Sequence, residues 1–318
     1  MVTVWLAEPR MDPHHAPSEL GSVDILILGA GWTSRFLIPL LKEHGVTYAA
    51  TSTSGRDGTL PFKFDPASDA EEPYAGLPAA KTILITFPLR GAGQSQHLTT
   101  LYNRTHQPSS PARASPPPPP PPHDGTDRQW IQLGTTGIFT GSSWSSSTSP
   151  YDVHNPRAVA EDELQRLAGG CVLNLAGLYD GAVRDPRDWL ARVAKTKEQL
   201  GAKGSLHLVH GVDVARAVLA LHTNFTPARR WIVADLHVYD WWDLALAWGE
   251  EARRRAGEGV GPVEGLQFER WVAELMDEHD VRALPRGVER LGRLLDSREF
   301  WKTMGIQPKM KHVLSELR

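Results

Sequence analysis

The fold is decided by the stretch Val23–Ser34, whose sequence is VDILILGAGWTS. Its first half is almost continuously apolar, which is typical of a parallel strand that is buried on both faces. Two closely spaced glycines follow, and apolar residues then recur at helical spacing as far as Gly45. A second apolar run, Val46–Ala50, comes next. The chain therefore enters its ordered part near Ser22 with a predicted strand–helix–strand unit.

Further apolar runs predict more strands of the same sheet, at Lys81–Thr86, Gln129–Leu133, Cys171–Leu175 and Arg230–Ala234. Helical patterns separate them, and one of these helices begins at Asn155 and Pro156, a plausible cap and first-turn pair. We therefore predict an α/β fold: a Rossmann-type, doubly wound parallel sheet with a smaller, mainly helical C-terminal cap.

We divide the chain into a flexible tail at 1–21, a Rossmann domain at 22–236 and a mainly helical C-terminal region at 237–318 that contributes to substrate binding. The Rossmann domain carries a proline-rich insertion at 106–127. The run Pro116–Pro122 within it favours polyproline II. A disordered loop is the preferred interpretation, and a ligand for a proline-recognising module is the alternative.

The composition excludes several function classes. Hydrophobic residues make up 41% and charged residues 22% of 318 residues, as in globular proteins. The net charge of −3 gives no electrostatic reason to expect nucleic acid or an anionic membrane as partner. Cys171 is the only cysteine, so no intrachain disulfide forms, and we predict no metal centre. Without a signal peptide or a long apolar segment, we expect a cytoplasmic protein.

The glycine-containing turn predicts a dinucleotide site. Gly29 permits a tight turn, and Gly31 lets a pyrophosphate approach the backbone. Trp32 and Thr33 then lead into a helix whose first N–H groups and dipole favour phosphate. Ser34 stands where the third glycine of the dinucleotide pattern is expected.

The end of the second predicted strand favours NADP over NAD. An NAD site usually has an acidic residue here for the ribose 2′-hydroxyl, but none precedes Asp57. The hydroxyls of Thr53 and Ser54 and the guanidinium of Arg56 instead suit a 2′-phosphate. The alternative is a solvated turn with Arg56 pointing into water.

Several later segments, taken in order, resemble the extended short-chain dehydrogenase/reductase family of NAD-dependent epimerases and dehydratases. The matching segments extend from Val23 to Ala234 and include Phe64-Asp65, LITFP at 84–88, QLGTTGIF at 132–139, NLAGLYDG at 174–181 and LVHGVDVA at 208–215. The resemblance implies that Asp65 contacts the adenine and that Phe87 and Pro88 lie beside the riboses. It is strongest to atypical members with an altered active site.

The catalytic Tyr and Lys of that family are not cleanly present. The family's Lys lies four residues after its Tyr, lowers the Tyr pKa and holds the nicotinamide ribose. Tyr151 resembles that Tyr, but Asn155 stands four residues later. An alignment on the following helix instead places Val153 and Arg157 at the two positions. Neither alternative restores the pair.

Thr135 and Thr136 remain candidates for contacting the substrate, with Tyr151 as a displaced acid, although all three are equally explained as strand-end and loop residues. The leading hypothesis is an NADP(H)-dependent oxidoreductase or epimerase-like enzyme for a small carbonyl, alcohol or sugar-like substrate. The alternative is a non-catalytic NADP(H)-binding sensor or scaffold. The resemblance also implies a homodimer.

Overall fold

The structure is a computed structural model, and it describes residues 21–106, 128–257, 267–310 and 312–316. The predicted tail, apart from Gly21, and the predicted insertion, apart from His106, lie outside the described residues. The run Pro116–Pro122 is among the residues that are not described.

Seven strands form one central sheet, numbered here in chain order. They are β1 Val23–Leu28, β2 Tyr48–Ser52, β3 Leu60–Pro61, β4 Ala80–Ile85, β5 Gln129–Thr135, β6 Cys171–Leu175 and β7 Arg230–Val233. Their spatial order is β7-β6-β5-β4-β1-β2-β3, and every neighbouring pair is parallel. The predicted Rossmann-type sheet is confirmed. Its strand order reverses direction at β1, where this fold forms a crevice for dinucleotides.

The described helices lie around this sheet and in the cap. They are α1 Ser34–Glu43, α2 Glu72–Ala75, α3 Gln94–Thr105, α4 Pro156–Ala168, α5 Arg187–Val193, α6 Lys197–Gly201, α7 Gly211–Thr223, α8 Trp241–Gly257, α9 Phe268–Glu278, α10 Arg298–Met304 and α11 Val313–Glu316. The predicted start of α4 is confirmed, because the Asn155 side chain accepts a hydrogen bond from the amide of Arg157 at 3.0 Å. Helices α1 and α7 pack together, as do α3 and α4.

Three apolar cores hold these layers together. Two lie on the opposite faces of the sheet, one against α1 and α7 and the other against α3 and α4. The third core joins α5 to α8 and α9 of the C-terminal region, with Trp241 and Trp242 buried inside it. Helix α10 returns to the first core through Phe300 and Trp301. The cores therefore cross residue 237, and the boundary placed there stays a prediction.

A buried histidine connects the segment before α7 to the C-terminal region. His207 is 3% exposed, and its Nε2 accepts a hydrogen bond from the amide of Leu295 at 3.1 Å. Burial, helped by the nearby charge of Arg293, lowers the pKa of His207 to about 4. Protonation of Nε2 removes its acceptor lone pair, so the folded protein keeps this imidazole neutral.

Acid should therefore destabilise the fold through His207. Its pKa lies below the unfolded value of 6.5, so its contribution is complete above pH 6.5 and is lost as the pH falls towards 4. Between pH 8 and pH 5 we expect a loss of about 2 kcal/mol from this residue. Urea unfolding at both pH values should show that loss to be absent from His207→Gln, whose amide can accept from Leu295 without titrating. An equal loss in both proteins would contradict the assignment.

Candidate functional site

A cavity of about 470 Å³ opens at the carboxyl edge of the central sheet. It extends from the turn after β1 to the ends of β2, β4, β5 and β6. Its lining residues are Gly29, Ala30, Gly31, Trp32, Thr33, Ser52, Thr53, Arg56, Thr86, Phe87, Pro88, Leu133, Gly134, Arg157, Leu175, Leu178 and Arg184. We call it the nucleotide cavity, because it occupies the crevice in which this fold binds dinucleotides.

Only glycine fits at position 29, because the backbone there has a positive φ and Thr86 leaves no room for a Cβ. Gly29 has φ +95°, and a Cβ there would lie 2.6 Å from Oγ1 of Thr86. That hydroxyl donates to the carbonyl oxygens of Leu28 at 2.9 Å and Gly29 at 2.6 Å. The end of β4 is therefore locked against the turn, which fixes the wall of the cavity.

The rest of the turn offers unpaired donors to an anion. Among the described residues, the amides of Trp32 and Thr33 have no hydrogen-bond acceptor, and α1 begins directly after them. A Cβ at Gly31 would meet no atom within 4 Å, so the space above this residue is open. Free amides at a helix N-terminus beside open space suit a phosphate group.

Ser34 faces a different space from the other turn residues. Its hydroxyl is buried and has no partner in the described part of the chain. It lines a neighbouring cavity of about 560 Å³, which shares Ala30, Gly31, Trp32 and Arg56 with the nucleotide cavity. The residue at the third-glycine position therefore lies beside the predicted site rather than in it.

Most of the predicted cofactor residues come together in the nucleotide cavity. Those that line it are Gly29, Gly31, Trp32, Thr33, Thr53, Arg56, Phe87 and Pro88. Ser54 and Asp65 do not line it. The Asp65 carboxylate instead accepts from the amide of Ala67 at 2.9 Å and so holds its own turn. Adenine contact by Asp65 stays a prediction.

The turn after β2 is electrostatically open to a phosphate. The side chain of Arg56 is 67% exposed, and its closest acid, Asp57, lies 3.8 Å away and is itself 89% exposed. The turn is held by Ser52, whose hydroxyl accepts from the Arg56 amide at 3.2 Å and hydrogen-bonds Thr59 at 2.7 Å. None of the described lining residues carries a carboxylate, so nothing in the cavity wall repels an anion.

Of the catalytic candidates, only Arg157 lines the nucleotide cavity. Its guanidinium donates to the carbonyl of Leu133 at 2.9 Å and lies 3.9 Å from the carboxylate of Glu161. Thr135 accepts from the amide of Gly137 at 3.1 Å, and Thr136 donates to the carbonyl of Leu175 at 3.2 Å. Both hydroxyls are thus engaged with the backbone outside the cavity.

Tyr151 is placed away from the cavity by a charged partner. Its hydroxyl donates to Asp162 Oδ1 at 2.8 Å, and the guanidinium of Arg230 lies 4.6 Å from its ring centroid. Burial and the hydrogen bond to Asp162 raise the pKa of Tyr151 above its ordinary value. Val153, the other candidate for the Tyr position, is 54% exposed. Neither alignment of the catalytic pair brings a phenol to the cavity.

A buried polar network supports Arg157 from behind. Glu161 is completely buried and pairs with Arg230, whose side chain is 5% exposed. Asn174 donates to Glu161 at 2.9 Å and to the carbonyl of Thr135 at 3.0 Å, and it accepts from Arg230 at 2.9 Å. The network links α4, β5, β6 and β7 beneath the cavity floor, and Glu161, Asn174 and Arg230 were not among the predicted site residues.

Arg184 lines the nucleotide cavity, was not predicted from the sequence, and comes from a loop far along the chain. Residues 180–184, called the strap here, follow the short strand Gly177–Tyr179. The guanidinium of Arg184 lies 4.5 Å from the centroid of the Trp32 ring, and Asp180 accepts from the Trp32 indole at 2.8 Å. The strap is therefore attached to the glycine turn, although 148 residues separate Trp32 from Asp180.

The described residues contain neither a metal-binding cluster nor a membrane-spanning helix. No group of three or more His, Cys, Asp or Glu side chains is arranged to hold a metal ion. Within the same ranges, no helix has the length and apolar character needed to span a bilayer.

No protein-family model matches the sequence, and no curated protein matches it. Solved structures do match, among them UDP-N-acetylglucosamine 4-epimerase from Bacillus cereus, with 10% identity, 93% of this chain and 98% of that chain covered, and a TM-score of 0.58. Human epimerase family protein SDR39U1, solved with NADPH, has 13% identity, coverage of 92% and 98%, and a TM-score of 0.53. MoeE5, solved with UDP-glucose and NAD, has 13% identity, coverage of 92% and 96%, and a TM-score of 0.53. At these identities the likeness shows the fold alone, which this chain shares with a 4-epimerase and with structures that were solved with NADPH or with NAD.

Proposed function

We propose that the chain binds NADP(H) in the nucleotide cavity and acts as an oxidoreductase or epimerase-like enzyme on a small carbonyl, alcohol or sugar-like substrate. The observation that supports it is the set of free amides at Trp32 and Thr33 beside the open space over Gly31. The fold adds support, since structures solved with NADPH and with NAD share it.

The residues present fit a dinucleotide. The turn amides would hold its pyrophosphate, and Arg56 with Thr53 would hold a 2′-phosphate. Phe87 would supply an apolar wall for a ribose or a base. Arg157, fixed by the carbonyl of Leu133, would hold a hydroxyl or carbonyl oxygen at the other end of the cavity. When bound, NADP(H) would supply or accept the hydride.

This chemistry also requires a proton donor or acceptor for the substrate oxygen. None of the described lining residues is a Tyr, His, Lys, Cys, Asp or Glu. Arg157 donates hydrogen bonds but does not release its proton near neutral pH. Its role would be to polarise and orient the substrate oxygen, with solvent exchanging the proton. The same observation favours a second candidate function, a non-catalytic NADP(H)-binding sensor or scaffold.

One experiment separates the two functions. Calorimetric titration with NADPH and NADH measures binding, and loss of NADPH absorbance with a panel of carbonyl compounds measures turnover. Turnover that falls in Arg157→Met supports the enzyme. Micromolar binding without turnover supports the sensor. If the protein binds neither NADPH nor NADH, both proposed functions are wrong.

Arg56→Asp should separate the two cofactors. It removes a charge-assisted contact to the 2′-phosphate, worth about 1.5–3 kcal/mol, and adds repulsion. We expect the affinity for NADPH to fall roughly 10- to 100-fold and the affinity for NADH to stay within about twofold. Lys63→Asp is the matched control, because Lys63 is exposed and does not line the cavity. Unchanged NADPH affinity in Arg56→Asp would show that Arg56 points into solvent.

A further inference from the structure

The strap is a preformed turn that is held together by one carboxylate. Asp180 accepts from the amides of Ala182 at 3.0 Å and Arg184 at 2.8 Å, in addition to the indole of Trp32. Burial by itself raises the pKa of Asp180, but these hydrogen bonds and Arg35, 3.7 Å away, outweigh burial and keep the pKa below its ordinary value. The strap is thus anchored by an ionised group at neutral pH.

The strap lies between the two cavities that meet at the glycine turn. Val183 lines the neighbouring cavity and is 67% exposed, whereas Arg184 lines the nucleotide cavity. Both cavities share Gly31 and Trp32. The strap therefore carries the Arg184 side chain to the same part of the cavity that contains the free amides of the turn.

Arg184 has the properties of an anion-binding side chain. Its guanidinium has no carboxylate partner among the described residues, yet its position is fixed by stacking on the Trp32 ring. Stacking restricts the rotamers of a long side chain, so less entropy is lost when it binds a ligand. A planar guanidinium also presents paired donors that match two phosphate oxygens.

We propose that Arg184 is a cofactor-binding residue that contacts the pyrophosphate together with the amides of Trp32 and Thr33. This inference rests on the proposed dinucleotide function. It assigns different parts of the ligand to two arginines. Arg56 would recognise the 2′-phosphate, which only NADPH has, and Arg184 would recognise the pyrophosphate, which NADPH and NADH share.

The test is calorimetric titration of Arg184→Ala with both nucleotides. We expect its affinities for NADPH and for NADH to fall by a similar factor, roughly 10- to 100-fold, whereas Arg56→Asp affects NADPH alone. ADP binding should weaken more than AMP binding, because AMP has no pyrophosphate. Arg282→Ala removes an 89% exposed arginine and is the matched control.

The outcomes are distinguishable. Wild-type affinity of Arg184→Ala for both nucleotides overturns the inference and leaves the proposed function standing. Loss of NADPH binding alone also overturns it, because Arg184 would then recognise the 2′-phosphate. If the wild-type protein binds neither nucleotide, the proposed function fails and this inference fails with it.

Discussion

Replacing Arg230 by methionine is expected to lower the free energy of unfolding by about 3–5 kcal/mol. The guanidinium donates to Glu161, to Asn174 Oδ1 at 2.9 Å and to Asp162 Oδ1 at 2.7 Å. Without it, the completely buried carboxylate of Glu161 keeps only the Asn174 amide at 2.9 Å and the more distant Arg157. An uncompensated buried charge is among the most destabilising changes a core can undergo.

Arg229 provides a control at the neighbouring position. Its guanidinium pairs with Glu299 at 2.8 Å, but the two side chains are 41% and 45% exposed. Arg229→Met should therefore cost less than about 1 kcal/mol. Urea unfolding measures both variants, and equal losses would show that the buried position of Arg230 has no special role.

A double variant tests the reason for the loss. In Arg230→Met with Glu161→Gln, the buried carboxylate is absent, so most of the lost stability should return. If the double variant is as unstable as Arg230→Met, the damage comes from lost packing against Tyr151, whose ring the guanidinium covers.

The network was partly visible in the sequence. Glu161 falls on the apolar side of its predicted helix, Asn174 interrupts an apolar strand, and Arg230 opens another. Polar residues at positions that a pattern assigns to the core need partners, because unpaired burial is costly. The sequence therefore indicated that these three side chains have polar partners in the core. It did not indicate which partners, since these belong to elements whose contact depends on the order of the strands.

The central sheet was predictable because its evidence is local. Each strand is a short apolar run, and the glycine turn lies between a strand and a helix. The catalytic residues could not be assigned from the sequence, because their positions depend on contacts between residues that are distant in the chain. Tyr151 and Arg157 are close in sequence, but Asp162 and Arg230 hold the phenol in the network, whereas the carbonyl of Leu133 holds Arg157 in the cavity.

The place of Arg184 in the site could not be predicted from the sequence. Its position depends on Asp180 and on a tryptophan in a turn 152 residues earlier, so no periodicity or spacing indicates it. Only the folded chain places a guanidinium beside the turn amides. Arg184 lies between the matching segments at 174–181 and 208–215, so the resemblance to a family implies nothing about it.

The second large effect is expected at Gly31, where alanine should strongly weaken nucleotide binding and leave the fold intact. A Cβ at this position meets no protein atom within 4 Å, and its φ is not in the left-handed region. Gly→Ala at such a site stabilises a protein by about 0.4–1 kcal/mol. The methyl group would nevertheless occupy the open space in which a pyrophosphate approaches the backbone. We expect the affinities for NADPH and NADH to fall roughly 100-fold, about 2.7 kcal/mol.

Gly29 distinguishes this result from general damage to the turn. Alanine there takes φ +95° and brings its Cβ to 2.6 Å from Thr86 Oγ1. Gly29→Ala should therefore lower stability by at least about 1–2 kcal/mol, and it should weaken binding only as a result of that damage. Thermal unfolding and calorimetric titration of both variants then give opposite patterns. If Gly31→Ala binds NADPH and NADH like the wild type, the phosphates do not pass over Gly31, and the nucleotide cavity must hold a different ligand.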